Sequence, residues 1–298
     1  MTWLLITVSA YLLFALANIG DKLVVSKYKT KPIVYAFYVG FMGIVTLILI
    51  PFGVIWPGWF QLFWCFWGGV AFVFALFFMY KAINAGETTR AITIMGSSAP
   101  IFTFLLSYQF LGERLTGNQI VSFAILVLAI IVISWPLESK KQKTAKQLIF
   151  WAVLSGVAFA CSYVLAKYVY LYQPFISGFV WVRLGGFVTA LFIFLIPQNR
   201  RAIKIDWQRP KKQKGGLILA IQIFGGAGVI GQNYAFSLAS ATLINALQAI
   251  QYAFVFILAT LLGTKTPQLK ESLNYKQVIQ KIIAIILIAF GLYLLTIK

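Results

Sequence analysis

Long apolar runs alternate with short polar gaps along the whole chain. Most runs are close to the roughly 20 residues that a helix needs to cross a bilayer core. They lack the apolar–polar alternation of membrane β-strands. The pattern predicts an all-α integral membrane protein with ten transmembrane helices. The predicted spans are Trp3–Ser26, Pro32–Phe52, Trp59–Asn84, Thr89–Leu111, Asn118–Trp135, Leu148–Val169, Pro174–Pro197, Gly215–Leu238, Ala241–Leu262 and Val278–Thr296.

The composition agrees with a membrane protein. Hydrophobic residues make up 61% of the chain and charged residues only 10%, against roughly a quarter charged in soluble domains. The formal net charge is +19, which in a soluble protein would suggest nucleic acid. Here the basic residues lie in gaps between apolar runs, including a basic loop predicted over 198–214. We therefore expect contacts with anionic lipid headgroups and no nucleic acid.

Basic residues fall mainly in alternate gaps, which indicates an orientation. The positive-inside rule places these gaps in the cytoplasm and both termini outside. The first run has no basic segment before it and no cleavage motif, so we interpret it as a retained span. The expected location is a prokaryotic plasma or inner membrane. Examples of the residues counted are Lys27, Lys29, Lys31, Lys140, Lys141, Lys143, Arg200, Arg201, Lys211 and Lys212.

Sequence landmarks recur in the same order in two halves of the chain. The third span ends near Tyr80 and the eighth near Tyr234, while the fourth and ninth end near Gly112 and Gly263. This predicts one five-helix repeat over 1–135, a basic linker over 136–147 and a second repeat over 148–298. Five is an odd number, so the second repeat would enter the membrane from the opposite side, as in many secondary transporters.

These motifs resemble the EamA-type branch of the drug/metabolite transporter superfamily. The signature Gly112-Glu113-Arg114-Leu115 closes the fourth span, with Ser97-Ser98-Ala99-Pro100 upstream. The second copy departs from the pattern: Gly263-Thr264-Lys265 lacks the acid, and Gln251 stands in place of the proline. The resemblance implies ten helices in two inverted repeats. It also implies both termini in the cytoplasm, against the charge count, so the orientation stays open.

The fourth and ninth spans carry the most polar side chains and are expected to line a substrate pathway. Ser97 and Ser98 lie in the fourth span. The spacing of Asn245, Gln248 and Tyr252 places them on one face of a helix, with Gln251 nearby. An amide facing lipid would lack a hydrogen-bond partner. The alternative role of these groups is hydrogen bonding between helices.

Other candidate substrate contacts lie on the first, third, sixth and eighth spans. Amides, hydroxyls and aromatic rings together would suit an amphipathic metabolite, whereas tyrosines also form aromatic belts at membrane interfaces. Glycine pairs such as Gly68-Gly69 and Gly185-Gly186 predict close helix packing. The candidates are Asn18, Tyr80, Ser162, Tyr163, Asn233 and Tyr234.

Two charged residues within or at the edge of spans stand out, because charges in lipid are costly and often functional. Asp21 could couple transport to protons or cations, or form an ion pair at the membrane edge beside Lys22. Arg183 could hold a substrate carboxylate or phosphate in a bidentate contact. It could instead pair with Asp21 or with backbone carbonyls and fix helix packing.

The predicted function is secondary transport of small metabolites by alternating access. The family resemblance favours export of amino acids or related amphipathic solutes. The chain has no histidine and no paired carboxylates in one membrane layer, so we expect neither an enzyme nor a cofactor or metal. The alternative is a membrane scaffold or lipid-handling protein without solute transport. The expected partners are a small-molecule substrate and membrane lipids, with the protein a monomer or a homodimer.

Overall fold

The computed structural model describes residues 2–25, 31–86, 88–135, 146–208, 215–263 and 274–297. These residues form helices joined by short connections, and none of them lies in a β-strand. The α-helices are α1 Thr2–Val25, α2 Pro32–Phe41, α3 Gly58–Asn84, α4 Thr88–Phe110, α5 Gly117–Ser134, α6 Lys146–Tyr172, α7 Phe175–Leu195, α8 Pro197–Trp207, α9 Gly215–Leu238, α10 Ala241–Ala246, α11 Gln248–Gly263 and α12 Tyr275–Thr296.

The all-α membrane fold predicted from the sequence is confirmed. Nine stretches of the described residues are helical, long enough and apolar enough to cross a membrane. The remaining predicted span, the eighth, is the helix Gly215–Leu238, with the predicted bounds. It is not among those nine stretches, so the count of ten spans stays a prediction.

Two spans differ from a simple α-helix. The second continues from α2 as a 3₁₀ helix, Met42–Phe52, which has Pro51 in its last turn and ends at Gly53 with φ of 102°. The ninth is interrupted at Leu247, between α10 and α11. The apolar pattern specified where these spans begin and end but not the hydrogen bonding within them.

The prediction of a loop over 198–214 is wrong for its first part, because Pro197–Trp207 forms α8. Pro197 occupies the first helical turn, where a missing N–H has no consequence and the fixed φ suits a helix. Ile203 is buried against Val34 and Ile193, and this contact stabilises a segment that is otherwise mostly polar. The remaining positions of the predicted loop, 209–214, lie outside the described residues, as does most of the basic linker.

The helices divide into two compact units that do not follow the order of the chain. Unit 1 contains α1, α5 and α9–α12. In it, α1 packs against α9 and α11, and α5 packs against α12. Its core surrounds Tyr11, with Leu126 and Ile130 of α5 and Leu247 between α10 and α11, all almost fully buried.

Unit 2 contains α2, the 3₁₀ helix, α3, α4, α6, α7 and α8. Within it, α6 packs against α3 and α4, while α7 packs against α3, α2 and the 3₁₀ helix. The α3–α7 crossing is very close, because a Cβ on Gly69 would overlap the backbone of Gly185 and Gly186. The glycine pairs therefore serve the close packing that the sequence predicted.

The packing follows a matching scheme in the two units. In unit 1 the first span contacts the eighth and ninth; in unit 2 the sixth contacts the third and fourth. These pairs correspond under the five-helix repeat, which itself stays a prediction. The compact units nevertheless mix helices from both predicted halves, so the division into 1–135 and 148–298 stays a prediction about sequence repeats.

Candidate functional site

In unit 1, a chain of buried hydrogen bonds leads to the interruption of the ninth span. The Tyr11 hydroxyl of α1 donates to the carbonyl of Ile244 at 2.7 Å. The Gln232 side chain of α9 donates to the Tyr11 hydroxyl at 3.2 Å. Three helices are thus joined one turn before Leu247. A buried tyrosine hydroxyl usually finds such a partner, and here that partner is a backbone carbonyl beside the interruption.

The predicted polar face of the ninth span lies on both sides of Leu247. Asn245, in α10, is completely buried. Gln248, Gln251 and Tyr252, in α11, are half-buried. Tyr252 packs against the same hydrophobic cluster as Tyr11. The four residues therefore belong to unit 1, on a span with a local irregularity at Leu247. The Leu247 N–H bonds the Leu243 carbonyl at 3.0 Å, and the Ile250 N–H bonds the Leu247 carbonyl at 2.9 Å.

The other unit 1 candidates have different environments. Asn233 is buried, and its amide donates to the Val229 carbonyl of its own helix at 2.9 Å. Its neighbour Tyr234 is 41% exposed, so these two side chains leave α9 in different directions. Asn18 is exposed on α1. Asp21 lies in α1, but its side chain is outside the described part of the structure.

In unit 2, the candidate serines take part in helix packing. Ser162 of α6 donates to the Gly68 carbonyl of α3 at 3.0 Å. Ser97 donates to the Thr93 carbonyl one turn earlier at 2.8 Å. Ser98 donates to the Met95 carbonyl at 3.1 Å. Only the Ser162 bond joins two helices, as the alternative role expects; Ser97 and Ser98 bond carbonyls of their own helix. A role of the serines in substrate binding stays a prediction.

Two candidate tyrosines of unit 2 stack on neighbouring rings. Tyr80 lies on Tyr35 of α2, with ring centroids 4.0 Å apart. Tyr163 stacks on Phe159 of the same helix at 5.8 Å. Both rings are half-buried. They add apolar surface with a polar tip to the interior of unit 2.

Arg183 lies near the middle of α7, where the span is otherwise apolar. Its guanidinium lies over the ring of Phe72, 4.5 Å from the centroid, and 5.4 Å from that of Phe179. The hydroxyls of Tyr163 and Tyr170 are its electrostatic neighbours. These distances are those of a cation–π arrangement on rings of α3 and α7.

The candidates divide between the two units. In unit 1, Asn245, Gln248, Gln251 and Tyr252 lie on either side of Leu247, whereas Asn18, Asn233 and Tyr234 lie on α1 and α9. The unit 2 candidates lie along α3, α4, α6 and α7. Sequence reasoning missed Tyr11. In the sequence, only its hydroxyl within an apolar run could have indicated a role. Among the described residues, no group of three or more His, Cys, Asp or Glu side chains is placed to hold a metal ion.

The described residues form a multi-pass α-helical membrane fold with two sets of buried polar side chains, and comparison with known proteins agrees with that fold. Residues 1–135 match the model of the EamA-like transporter family. The predicted resemblance to the EamA-type branch of the drug/metabolite transporter superfamily is confirmed, with the family match lying in the first half of the chain.

Two further similarities are informative. The chain is 28% identical over 214 residues to an uncharacterized transporter of Helicobacter pylori (strain ATCC 700392 / 26695). That match covers 70% of this chain and 66% of the relative, just under two thirds of its length. A crystal structure described only as that of a protein matches with a TM-score of 0.68 and 16% identity, covering 99% of this chain and 96% of the other. The latter likeness shows a shared fold.

Proposed function

We propose that this protein is a secondary transporter that exports amino acids or related amphipathic metabolites by alternating access. The observation that carries the proposal is the interruption of the ninth span at Leu247, flanked by Asn245 and Gln248. In secondary transporters, interrupted helices present backbone groups and polar side chains to the substrate within the membrane. Irregular backbone in a membrane is tolerated where it is buried in protein or lines a cavity.

The hydrogen-bond chain through Tyr11 supports a functional interruption. A span interrupted without partners would leave polar backbone groups unsatisfied in an apolar interior, at a cost of several kcal/mol. The Tyr11 hydroxyl satisfies the Ile244 carbonyl, so the interruption is stabilised by residues on other helices. Asn245 and the half-buried Gln248, Gln251 and Tyr252 then supply amides and a hydroxyl for a solute.

The position of Arg183 supports the proposal that the substrate carries an anionic group. A charge at the centre of an apolar span costs roughly 2.5–3.5 kcal/mol on insertion scales. Cation–π contacts with Phe72 and Phe179 offset part of this. A carboxylate would complete the site, because a guanidinium binds carboxylates through two parallel hydrogen bonds. Amino acids carry this group and a variable side chain, which the aromatic surroundings of Arg183 suit.

The test is ligand-dependent stability followed by flux. The detergent-purified full chain is melted with amino acids, aromatic drugs, sugar phosphates and nucleotide sugars in turn. A ligand that binds only the folded state raises the melting temperature by mass action. We expect one class, the amino acids, to do so, and the shift to disappear in Gln248→Ala. The matched control is Thr260→Ala on the same helix, because Thr260 is exposed and bonds only the Phe256 carbonyl of α11.

Flux in proteoliposomes then separates transport from binding. Asn245→Ala, Gln248→Ala and Tyr252→Ala are each expected to abolish uptake of the binding class while the protein stays folded. A folded wild-type protein that binds no solute class and carries none would contradict the proposal and favour the scaffold or lipid-handling alternative. Proton coupling through Asp21, like the direction of transport, belongs to this proposal and rests on sequence reasoning alone.

A further inference from the structure

Helix α8 forms a distinct surface at the end of α7. Leu195 and Ile196, at the end of the span, are 70% and 50% exposed, as expected for residues facing lipid. Ile196 has extended backbone, with ψ of 119°, and Pro197 then begins α8. The chain therefore passes directly from a membrane span into an eleven-residue helix, and α8 starts where the apolar region ends.

One side of α8 is held by the rest of unit 2. Ile203 is 4% exposed and belongs to the cluster that includes Val34, Phe37 and Ile193. Asp206 is half-buried and lies near Tyr38, while Lys31 and Asp206 line the same shallow cavity between α2 and α8. The single acid of α8 thus points toward the protein side of the helix.

The opposite side of α8 carries exposed cations between exposed apolar side chains. Arg200 and Lys204 are four residues apart and share a face, with Arg201 next to them; all three are exposed. At 100° per residue, Trp207 borders this group on one edge and Ile205 on the other. Trp207 is 71% exposed and Ile205 60% exposed. We call these five residues the α8 outer face.

The α8 outer face is energetically unfavourable when only water covers it. Like charges at positions four apart destabilise a helix by a few tenths of a kcal/mol. Ile205 borders the α2–α8 cavity and the Trp207 ring lies 6.5 Å from that of Tyr38, yet more than half of each side chain stays exposed. A dissolved anion would neutralise the cations but leave Trp207 and Ile205 in water. A leaflet of anionic lipid satisfies both needs, because phosphates meet the cations while Trp and Ile enter the boundary of the acyl region.

We propose that the α8 outer face binds the headgroups of anionic phospholipids, and that α8 lies in the membrane interface as an electrostatic anchor of unit 2. Each basic residue near a negatively charged membrane surface contributes its own attraction to anionic lipids. The contributions of three basic residues on one face add. The site is independent of the transported solute. It depends on the composition of the bilayer rather than on any group inside the transport pathway.

Quenching of Trp207 by brominated lipid tests this proposal directly. The full-length protein is placed in nanodiscs with brominated acyl chains on either phosphatidylglycerol or phosphatidylcholine at equal mole fraction. The signal of Trp207 is the difference between wild type and Trp207→Phe, a change at an exposed position. We expect at least about threefold stronger quenching of Trp207 by the brominated phosphatidylglycerol, because the three cations enrich this lipid locally.

The variant R200Q/R201Q/K204Q should make the two lipids quench Trp207 equally. The matched control removes exposed cations elsewhere, R114Q/K276Q, and should preserve the preference. Equal quenching by both lipids in the wild type, or a preference that survives in the triple variant, would overturn the proposal. A preference abolished by inorganic phosphate at constant ionic strength would also overturn it, since that result would identify a site for soluble anions.

Discussion

At the scale of single residues, the closest contact in unit 2 depends on glycines at the α3–α7 crossing. Gly69 of α3 faces Gly185 and Gly186 of α7. A Cβ on Gly185 would lie 2.8 Å from the Cys65 carbonyl oxygen, and one on Gly69 would overlap the Gly186 amide. The neighbouring atoms are backbone, which cannot rotate aside. The crossing therefore has no room for a side chain at Gly69 or Gly185.

We predict that Gly69→Ala destabilises the protein by about 1–3 kcal/mol, the usual cost of overpacking. Thermal melting in detergent provides the measurement. Gly226→Ala is the matched control, because a Cβ there meets nothing within 4 Å and alanine is preferred over glycine in a helix. Equal melting temperatures for Gly69→Ala and wild type would show that the two backbones do not touch.

The sequence revealed which residues were polar but not which partners they bind. Asn245 and Gln248 stood out as amides in an apolar run, and the glycine pairs indicated close packing. The bond from Ser162 to the Gly68 carbonyl joins residues that are far apart in the chain, and no local pattern contains that information. Tyr11 was missed for the same reason, since its partners lie more than 200 residues away.

At the scale of elements, α4 and the ninth span each contain an irregular position, but the two positions have different causes. Pro100 lies inside α4, yet the helix continues through it. The ninth span lacks a proline and is interrupted at Leu247 instead. A proline removes the donor that would bond the carbonyl four residues earlier, which in α4 is that of Gly96. Each span therefore has a local weakness in its helical hydrogen bonding.

We predict that Pro100→Ala lowers transport without lowering stability. Alanine restores the donor to the Gly96 carbonyl and is much more favourable than proline inside a helix, so α4 becomes stiffer. Flux in proteoliposomes and thermal melting together test this. Pro174→Ala, at the exposed start of α7, should leave flux unchanged. Undiminished flux in Pro100→Ala would mean that neither the free carbonyl nor bending of α4 serves transport.

Element positions were predictable to within a few residues because a membrane span needs a long apolar run. The predicted third span, Trp59–Asn84, is observed as Gly58–Asn84. Helix α8 was not predicted, because its eleven residues are too few to cross a membrane and include the cations Arg200, Arg201 and Lys204. Its stability comes from Ile203 packing onto α2 and α7, which is a tertiary contact.

At the scale of the whole molecule, the charge distribution and the family resemblance predict opposite orientations in the membrane. The basic gaps predict that the end of α8 lies in the cytoplasm and the start of α5 outside. Gln208, just after α8, and Asn118, in the first turn of α5, are both exposed. Of the two native cysteines, Cys65 is buried and Cys161 half-buried, so background labelling should be low.

We predict that a membrane-impermeant maleimide added to intact bacterial cells labels Asn118→Cys and not Gln208→Cys. The physical reason is retention of Lys- and Arg-rich segments on the cytoplasmic side during insertion. Permeabilised cells, in which both variants should react, provide the control. The reverse labelling pattern would place both termini in the cytoplasm, as the family resemblance implies.

The interleaving of the two units has a consequence for biogenesis. Helix α1 leaves the ribosome first, but its main packing partner, α9, is synthesised about 190 residues later, which at 5–20 residues per second is a delay of roughly 10–40 s. During that interval the buried surface around Tyr11 must be covered by lipid or by an insertion factor. The helix that is synthesised first therefore belongs to the unit that is completed last. An N-terminal fragment that ends in the linker lacks helices of both units and should not mature alone.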